Sequence, residues 1–232
     1  MFDQIMSYLD MCQAEGSQQI QKGMNYAINP QYSVILMSQR SNAPYRDKIL
    51  KDGKTIEYEG HDEPRHGKNN NPKELDQPKY TYKGGLTENG KFIKAVAQYR
   101  NGQCEPRLVK VYEKIIRGVW SLKGFFDLID YRIANDGKRN VYIFILSLTS
   151  RQLETNNNVA NYATSNQTRL IPSDVKKRVW ERDKGKCVIC GSALNLHFDH
   201  DLPYSKGGSS LTENNIRLLC ASCNLKKSDK IE

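Results

Sequence analysis

Residues 187–224, CVICGSALNLHFDHDLPYSKGGSSLTENNIRLLCASCN, decide how the C-terminal part of this chain folds. Two Cys-x-x-Cys knuckles, Cys187/Cys190 and Cys220/Cys223, bracket an Asp199-His200 pair and Asn215, and Asn224 follows the second knuckle directly. Zinc takes four tetrahedral thiolate or imidazole ligands, and each tight knuckle can supply two sulfurs to one ion. The four cysteines are therefore expected to hold one structural zinc. The 29 residues between Cys190 and Cys220 exceed what a simple zinc ribbon needs. Leu194 to His200 reads as a strand, Leu202 to Glu213 as a Gly/Ser-containing loop, Ile216 to Leu219 as a returning strand, and a short helix is expected to begin at Asn224.

Upstream, Pro172-Ser173 opens a helix, with Ser173 as N-cap and Val175, Val179 and Trp180 as its buried stripe. Before it, Arg151 to Thr168 is rich in Asn and Thr without apolar periodicity and reads as a polar linker. The expected division is 1–150, a linker over 151–168, and a small domain over 169–232. So short a C-terminal unit buries little core, and a metal staple is the expected remedy.

In the first domain, Phe2 to Cys12 has near-helical apolar spacing and reads as a short amphipathic helix. Strands are expected at Tyr32 to Met37, Thr55 to Tyr58, Arg107 to Val111, Phe125 to Ile133 and Asn140 to Leu148. The last two are joined by Asn135-Asp136-Gly137, a hairpin signal. Glu88 to Tyr99 places Phe92, Ile93, Val96 and Ala97 on one helical face. Gly60 to Gly85 is a long polar loop, whose Arg65, His66 and Lys68 read either as a contact for a polyanion or as a solvated basic loop. The fold class is α+β: a β-rich domain with few helices, then a small zinc-stapled one.

The net charge is +9 and the pI near 9.2, which favours a polyanionic partner, since Lys and Arg release counterions from a phosphate backbone. Four zinc thiolates against one Zn²⁺ would lower that total by about two and leave it basic. With 38% hydrophobic and 26% charged residues, no run approaching eighteen apolar residues and no basic N-terminal leader, a cytoplasmic protein without membrane association is expected. Cys12 and Cys104 are isolated and read as reduced thiols.

The stretch RLIPSDVKKRVWERDKGKCVIC…HFDHDLPYSKGG…NNIRLLCASCNLKK, residues 169–227, resembles the HNH nuclease family, the ββα-metal fold. By that resemblance His200 is the first His of the motif, Asn215 its middle Asn, and Asn224 stands where the last His usually is. Phosphodiester hydrolysis needs a water deprotonated near neutral pH, and an imidazole suits that step, so His200 is the expected general base. A hard divalent ion, Mg²⁺ or Mn²⁺, stabilises the charge that builds on the phosphate oxygens, and Asp199 and Asn224 offer it a carboxylate and an amide oxygen. Asn215 is expected to orient the loop around His200. His197 reads as structural, and Lys226, Lys227 and Arg217 as a solvated face or phosphate contacts.

Ser33 to Met37 (SVILM), Tyr45-Arg-Asp47, Gly53 to Gly60 (GKTIEYEG), Asp76-Gln77 and the 118–148 hairpin look like an SRA-type domain, of PUA-like architecture. Members bind double-stranded DNA and flip out a modified cytosine. A flipped base needs flat stacking partners and a satisfied Watson-Crick edge. Tyr45 and Tyr58 are the candidates for the stack, Asp47 for the cytosine N4 amino group, with Glu59 and Gly60 next along the pocket strand. Glu59 stands where a small hydroxyl residue is common; its carboxylate suits a 5-hydroxymethyl group better than a bare methyl. The resemblances imply a modification-dependent restriction endonuclease. The alternatives are an HNH nicking or repair nuclease without modification sensing, and a catalytically silent zinc-containing nucleic-acid-binding protein. One active site cuts one strand, so a double-strand break needs a homodimer or two successive nicks.

Overall fold

The computed structural model describes residues 3–64, 71–149, 151, 170–202 and 208–227. Arg65, His66 and Lys68, and all of the expected linker except Arg151, lie outside the described residues. The elements run β1 (Ile5–Met6), α1 (Tyr8–Ala14), β2 (Met24–Asn25), β3 (Ser33–Met37), β4 (Lys48–Ile49), β5 (Thr55–Glu59), α2 (Glu88–Arg100), β6 (Arg107–Ile116), β7 (Val119–Asn135) and β8 (Asn140–Leu148). Then come α3 (Ser173–Arg182), β9 (Leu196–His200), β10 (Ile216–Cys220) and α4 (Ala221–Lys227).

An eight-stranded sheet in the order β2-β3-β6-β7-β8-β5-β4, with β1 added onto β7, forms the first part of the molecule. β3 and β6 pair in parallel, and the other ladders are antiparallel. The hairpin between β7 and β8 closes where the sequence indicates, Asp136 N–H bonding Arg139 O at 3.0 Å and Gly137 taking φ +97°, a sign of φ that suits glycine. β7 is longer than expected at both ends. Irregular register between Val111 and Tyr112 opposite it, and between Leu128 and Asp130 within it, lets so long a strand bend around a core.

Trp120 to Phe126 of β7 are all buried because both faces of the sheet are covered. Phe126 and Leu128 meet Phe92 and Val96 of α2 in one core; Trp120, Leu122 and Phe125 meet Met11 of α1 in another. Burying a Phe or Leu side chain contributes about 1.5–3 kcal/mol, so α2 and α1 are held mainly by these faces. On α2, Ala95 takes the buried place expected of Ala97. A third core gathers Ile171, Val175, Val179, Leu196, Phe198, Ile216, Leu218 and Leu219 around α3 and the β9–β10 hairpin.

Three local expectations are corrected. The N-terminal helix is confined to Tyr8–Ala14, because Ser7 and Asp10 form a reciprocal capping box that starts a helix there. Ile5 and Met6, ahead of it, pair with Ser121 and Trp120. Ser173 is not an N-cap: it is the first helical residue, and its hydroxyl turns to Glu113 and Gln39. Finally, α4 starts at Ala221, so Asn224 sits a turn inside the helix rather than at its first residue.

Candidate nuclease site and base pocket

The cysteine knot is built from two turns. In the first, Gly191 N–H bonds Cys187 O at 2.8 Å with Gly191 at φ +75°; in the second, Cys220 ends β10 and Cys223 falls in the first turn of α4. The four Sγ atoms lie within 4.8 Å of one another, and Cys190 and Cys220 are 3.6 Å apart. A tetrahedron with Zn–S bonds of about 2.3 Å has S···S edges of about 3.8 Å, so the four thiols fit one zinc ion. Burial pushes the Cys187 thiol up, but amide donors from Cys220, Cys190 and Ile189 outweigh it and bring the thiol down to about 6, toward the thiolate that zinc requires.

The hairpin carried by this knot presents the Asp-His pair at its far end. β9 and β10 pair Leu196 with Cys220 beside the cysteine knot and His200 with Ile216 at the open end. His200 Nε2 is 2.8 Å from the hydroxyl of Ser210, itself 1% exposed. Burial lowers the His200 pKa below its ordinary value, against the charges of Asp3 and Asp199, and so favours the neutral imidazole.

Asn215 ties the loop back on itself. Its Oδ1 accepts from Leu202 N–H at 2.7 Å, and its Nδ2 donates to Leu202 O and Ser209 O at 3.0 Å each. Ser209 leads straight into Ser210, whose hydroxyl meets His200 Nε2. A Cβ on Gly208 would stand 1.8 Å from Leu202 O and 2.7 Å from Asn215 Nδ2. On the nuclease reading taken from the sequence, Gly208→Ala is therefore expected to push this loop out and lower strand cleavage by about 10²-fold, the scale of a 1 Å misplacement of the groups the loop positions. Bound zinc should be retained; plasmid nicking rates and metal content measure the two.

Asp199 is partly exposed and α4 brings Asn224 to the same domain as a half-buried residue. The structure adds Lys227, expected on a solvated face or at a phosphate but 3% exposed: its Nζ lies 2.6 Å from Asp199 Oδ2 and also donates to His200 O. A cationic group thus already stands on a carboxylate and a carbonyl oxygen at the strand end, which is the donor chemistry a hard divalent ion selects. Arg217 is likewise not a free surface charge, pairing with Asp201 at 3.1 Å. His197 is buried, and its backbone bridges to Gln4 of the N-terminal segment.

In the first part, β5 ends in Tyr58 and Glu59, and the expected pocket residues gather around that end. Asp47, 8% exposed, accepts from Ser38 N–H at 3.0 Å and Glu59 N–H at 3.2 Å; burial pushes its carboxyl up to about 7. Glu59 accepts from Arg46 N–H at 2.9 Å and faces Arg139 Nη2 at 3.5 Å. Gly60 is hemmed in by Asn89 Oδ1 and Gln77 Oε1, 2.6 and 2.8 Å from where a Cβ would be. Tyr58 is 1% exposed, within the α2 core. Tyr45 is half-buried and lies nearly parallel to His61, ring centroids 6.1 Å apart at 23°, with Lys73 Nζ 4.1 Å from its ring centre. His61, Arg139 and Lys73 escaped the sequence reading. Only the position of His61, directly after Gly60, could have suggested it.

A cleft of about 550 Å³ runs between the 39–42 loop and α3 and is lined in part by Arg40, Lys114, Arg117 and Lys177. Among the described residues no helix is long and apolar enough to cross a membrane.

A zinc-fitting four-cysteine knot under a β-hairpin and a helix that carry Asp199, His200 and Asn224 defines a ββα-metal domain. Residues 187–230 match the HNH endonuclease family model. No curated protein gives a significant match. Among solved structures, the chain is similar to the SRA domain of SUVH5 in complex with hemimethylated CG DNA, at 17% identity and TM-score 0.45, covering 67% of this chain and 92% of that one. It is also similar to Arabidopsis thaliana SUVH6 in complex with SAM, at 16% identity and TM-score 0.44, over 76% of this chain and 28% of that one. A further match is the sulfur binding and SRA domains of ScoMcrA complexed with phosphorothioated DNA, at 16% identity and TM-score 0.41, over 64% and 39%.

Proposed function

We propose that this chain is a modification-dependent DNA endonuclease, with residues 1–150 as an SRA-like reader of modified cytosine, 151–168 as the linker and 169–232 as the nuclease. The observation that carries the nuclease half is His200, held by Ser210 beside Asp199 on a hairpin clamped by the cysteine knot. With Nε2 engaged by Ser210, Nδ1 is the ring nitrogen that takes the proton from the attacking water. The water oxygen bonds to phosphorus and the 3′ oxygen leaves, giving 5′-phosphate and 3′-hydroxyl ends. A divalent ion, Mg²⁺ or Mn²⁺, held by Asp199 and Asn224 supplies positive charge for the phosphate oxygens when bound. Asn215 keeps the Ser209–Ser210 segment against His200, and zinc on Cys187, Cys190, Cys220 and Cys223 is structural.

The reader half is supported by the sequence pieces around Tyr45, Asp47, Glu59 and Gly60 and by their convergence at one end of β5, whereas Tyr58, 1% exposed in the α2 core, leaves no face for a stacked base. Tyr45 offers a flat face, Asp47 a carboxylate for the cytosine N4 amino group, and Gly60 a place where the backbone packs closely. Glu59, paired with Arg139, supplies an acceptor suited to a hydroxymethyl substituent. The cleft lined by Arg40, Lys114, Arg117 and Lys177 suits a phosphate backbone.

Digestion of matched plasmids carrying cytosine, 5-methylcytosine or 5-hydroxymethylcytosine, with Mg²⁺ or Mn²⁺, tests this reading. Cutting confined to the modified plasmids is expected, whereas equal cutting of all three leaves a nuclease without a reader.

A further inference from the structure

The N-terminal segment is laced to both parts of the molecule. Asp3 N–H bonds Leu122 O of β7 at 2.7 Å, while Asp3 O accepts from Phe198 N–H of β9 at 3.3 Å. Gln4 O accepts from Leu122 N–H at 2.9 Å, and Gln4 also bridges to His197. One extended stretch therefore pairs with the large sheet on one side and with the nuclease hairpin on the other.

Beneath it lies a closed set of charges. Lys176 of α3 is 0% exposed and pairs with Asp3, donates to Ser121 Oγ at 3.0 Å and lies 3.7 Å from Glu113 Oε2. Lys123 of β7 pairs with the same Glu113 oxygen at 2.8 Å, both side chains 0% exposed, and donates to Ile171 O at 2.9 Å. Ser173 reaches Glu113 as well. Lys123 and Lys176 balance Glu113 and Asp3 in charge. Buried ions are tolerated only when paired, and withdrawing α3 would leave Glu113 and Asp3 short of a cation.

The apolar contacts run the same way. Leu170 sits in the α2 core while the next residue, Ile171, sits in the nuclease core. Leu170 N–H bonds Gly53 O at 2.9 Å. Ile5 of β1 packs against the nuclease core.

We infer that the two parts are docked as one body through Asp3, Glu113, Lys123 and Lys176, and that this junction sets the distance from the captured base to the cut bond. The length of chain over 152–169 does not set it. The docking stands on these contacts alone; the statement about the cut rests on the proposed function.

The test uses the full chain with a protease recognition sequence inserted within 152–169. After that site is cut, the two fragments are expected to elute together as a single 1:1 species on size exclusion, and separation of the fragments would overturn the docking. In the same background, Lys176→Met is expected to release the fragments from each other once the chain is cut. Their continued association would remove the charge set from the account, and Glu113→Gln repeats the test with a milder change should Lys176→Met fail to fold. Mapping of cut positions on modified DNA is expected to give the same offset with and without an eight-residue Gly/Ser insertion at that site; an offset that moves with the insertion contradicts the junction as ruler. Fragments that stay together in a protein that cuts modified and unmodified DNA alike would retain the docking and dismiss the reader.

Discussion

Replacing His200 with alanine is expected to lower strand cleavage by about 10²–10⁴-fold, the range for losing a positioned general base. The fold should survive, because His200 is only half-buried at the mouth of the hairpin and the hydrogen bond of its ring is to Ser210 among the described residues. The hairpin core of Leu196, Phe198, Ile216 and Leu218 does not depend on it. Zinc content and affinity for DNA are expected to stay near those of the parent protein. Rates of nicking of supercoiled plasmid, filter binding and metal analysis separate these quantities. A variant that cleaves at the parent rate would remove His200 from its role as base, and one that loses zinc would show that the side chain supports the fold instead.

The second large effect concerns the cysteines. Cys220→Ser, or extraction of zinc by a strong chelator, is expected to unfold the C-terminal core rather than merely weaken it. Structural zinc contributes an apparent 10–16 kcal/mol or so in small domains at neutral pH, which exceeds what a core of this size holds in reserve. Cys187 and Cys220 are themselves members of that core, 2% and 7% exposed, so the loss removes packing as well as ligation. Cleavage, zinc content and the thermal transition of this part should fall together, unlike the His200 variant, which loses cleavage alone. A chelated protein that keeps its unfolding transition would contradict the structural-zinc assignment.

The knuckles and the β7–β8 hairpin were legible because their signals are local: a four-residue spacing and an Asn-Asp-Gly turn. What escaped depends on contacts distant in the chain. The start of β7, ahead of the expected Phe125, carries Lys123, whose buried charge meets Glu113 on the neighbouring strand and Ile171 O, both distant in sequence. Lys227 reads as one more surface lysine beside Lys226. Its burial follows from Asp199 and His200, far back in the chain, which no periodicity reports. Ser173 has the composition of an N-cap, but Glu113 and Gln39 claim its hydroxyl. In the candidate pocket, Asp47 and Tyr45 were named from the resemblance to SRA-type domains, whereas the ring opposite Tyr45 belongs to His61 and the cation facing Glu59 to Arg139.

The central claim is that recognition of a modified cytosine and hydrolysis by an HNH site belong to one chain. Its most direct measurement is the ratio of single-turnover cleavage rates on two end-labelled duplexes, identical except for one cytosine that is either 5-hydroxymethylated or 5-methylated in the first and unmodified in the second. The account predicts a ratio of about ten or more, the discrimination that one small substituent in a fitted pocket provides, with cuts at a constant distance from the modified base. A ratio of one, with cuts scattered along both duplexes, would contradict it.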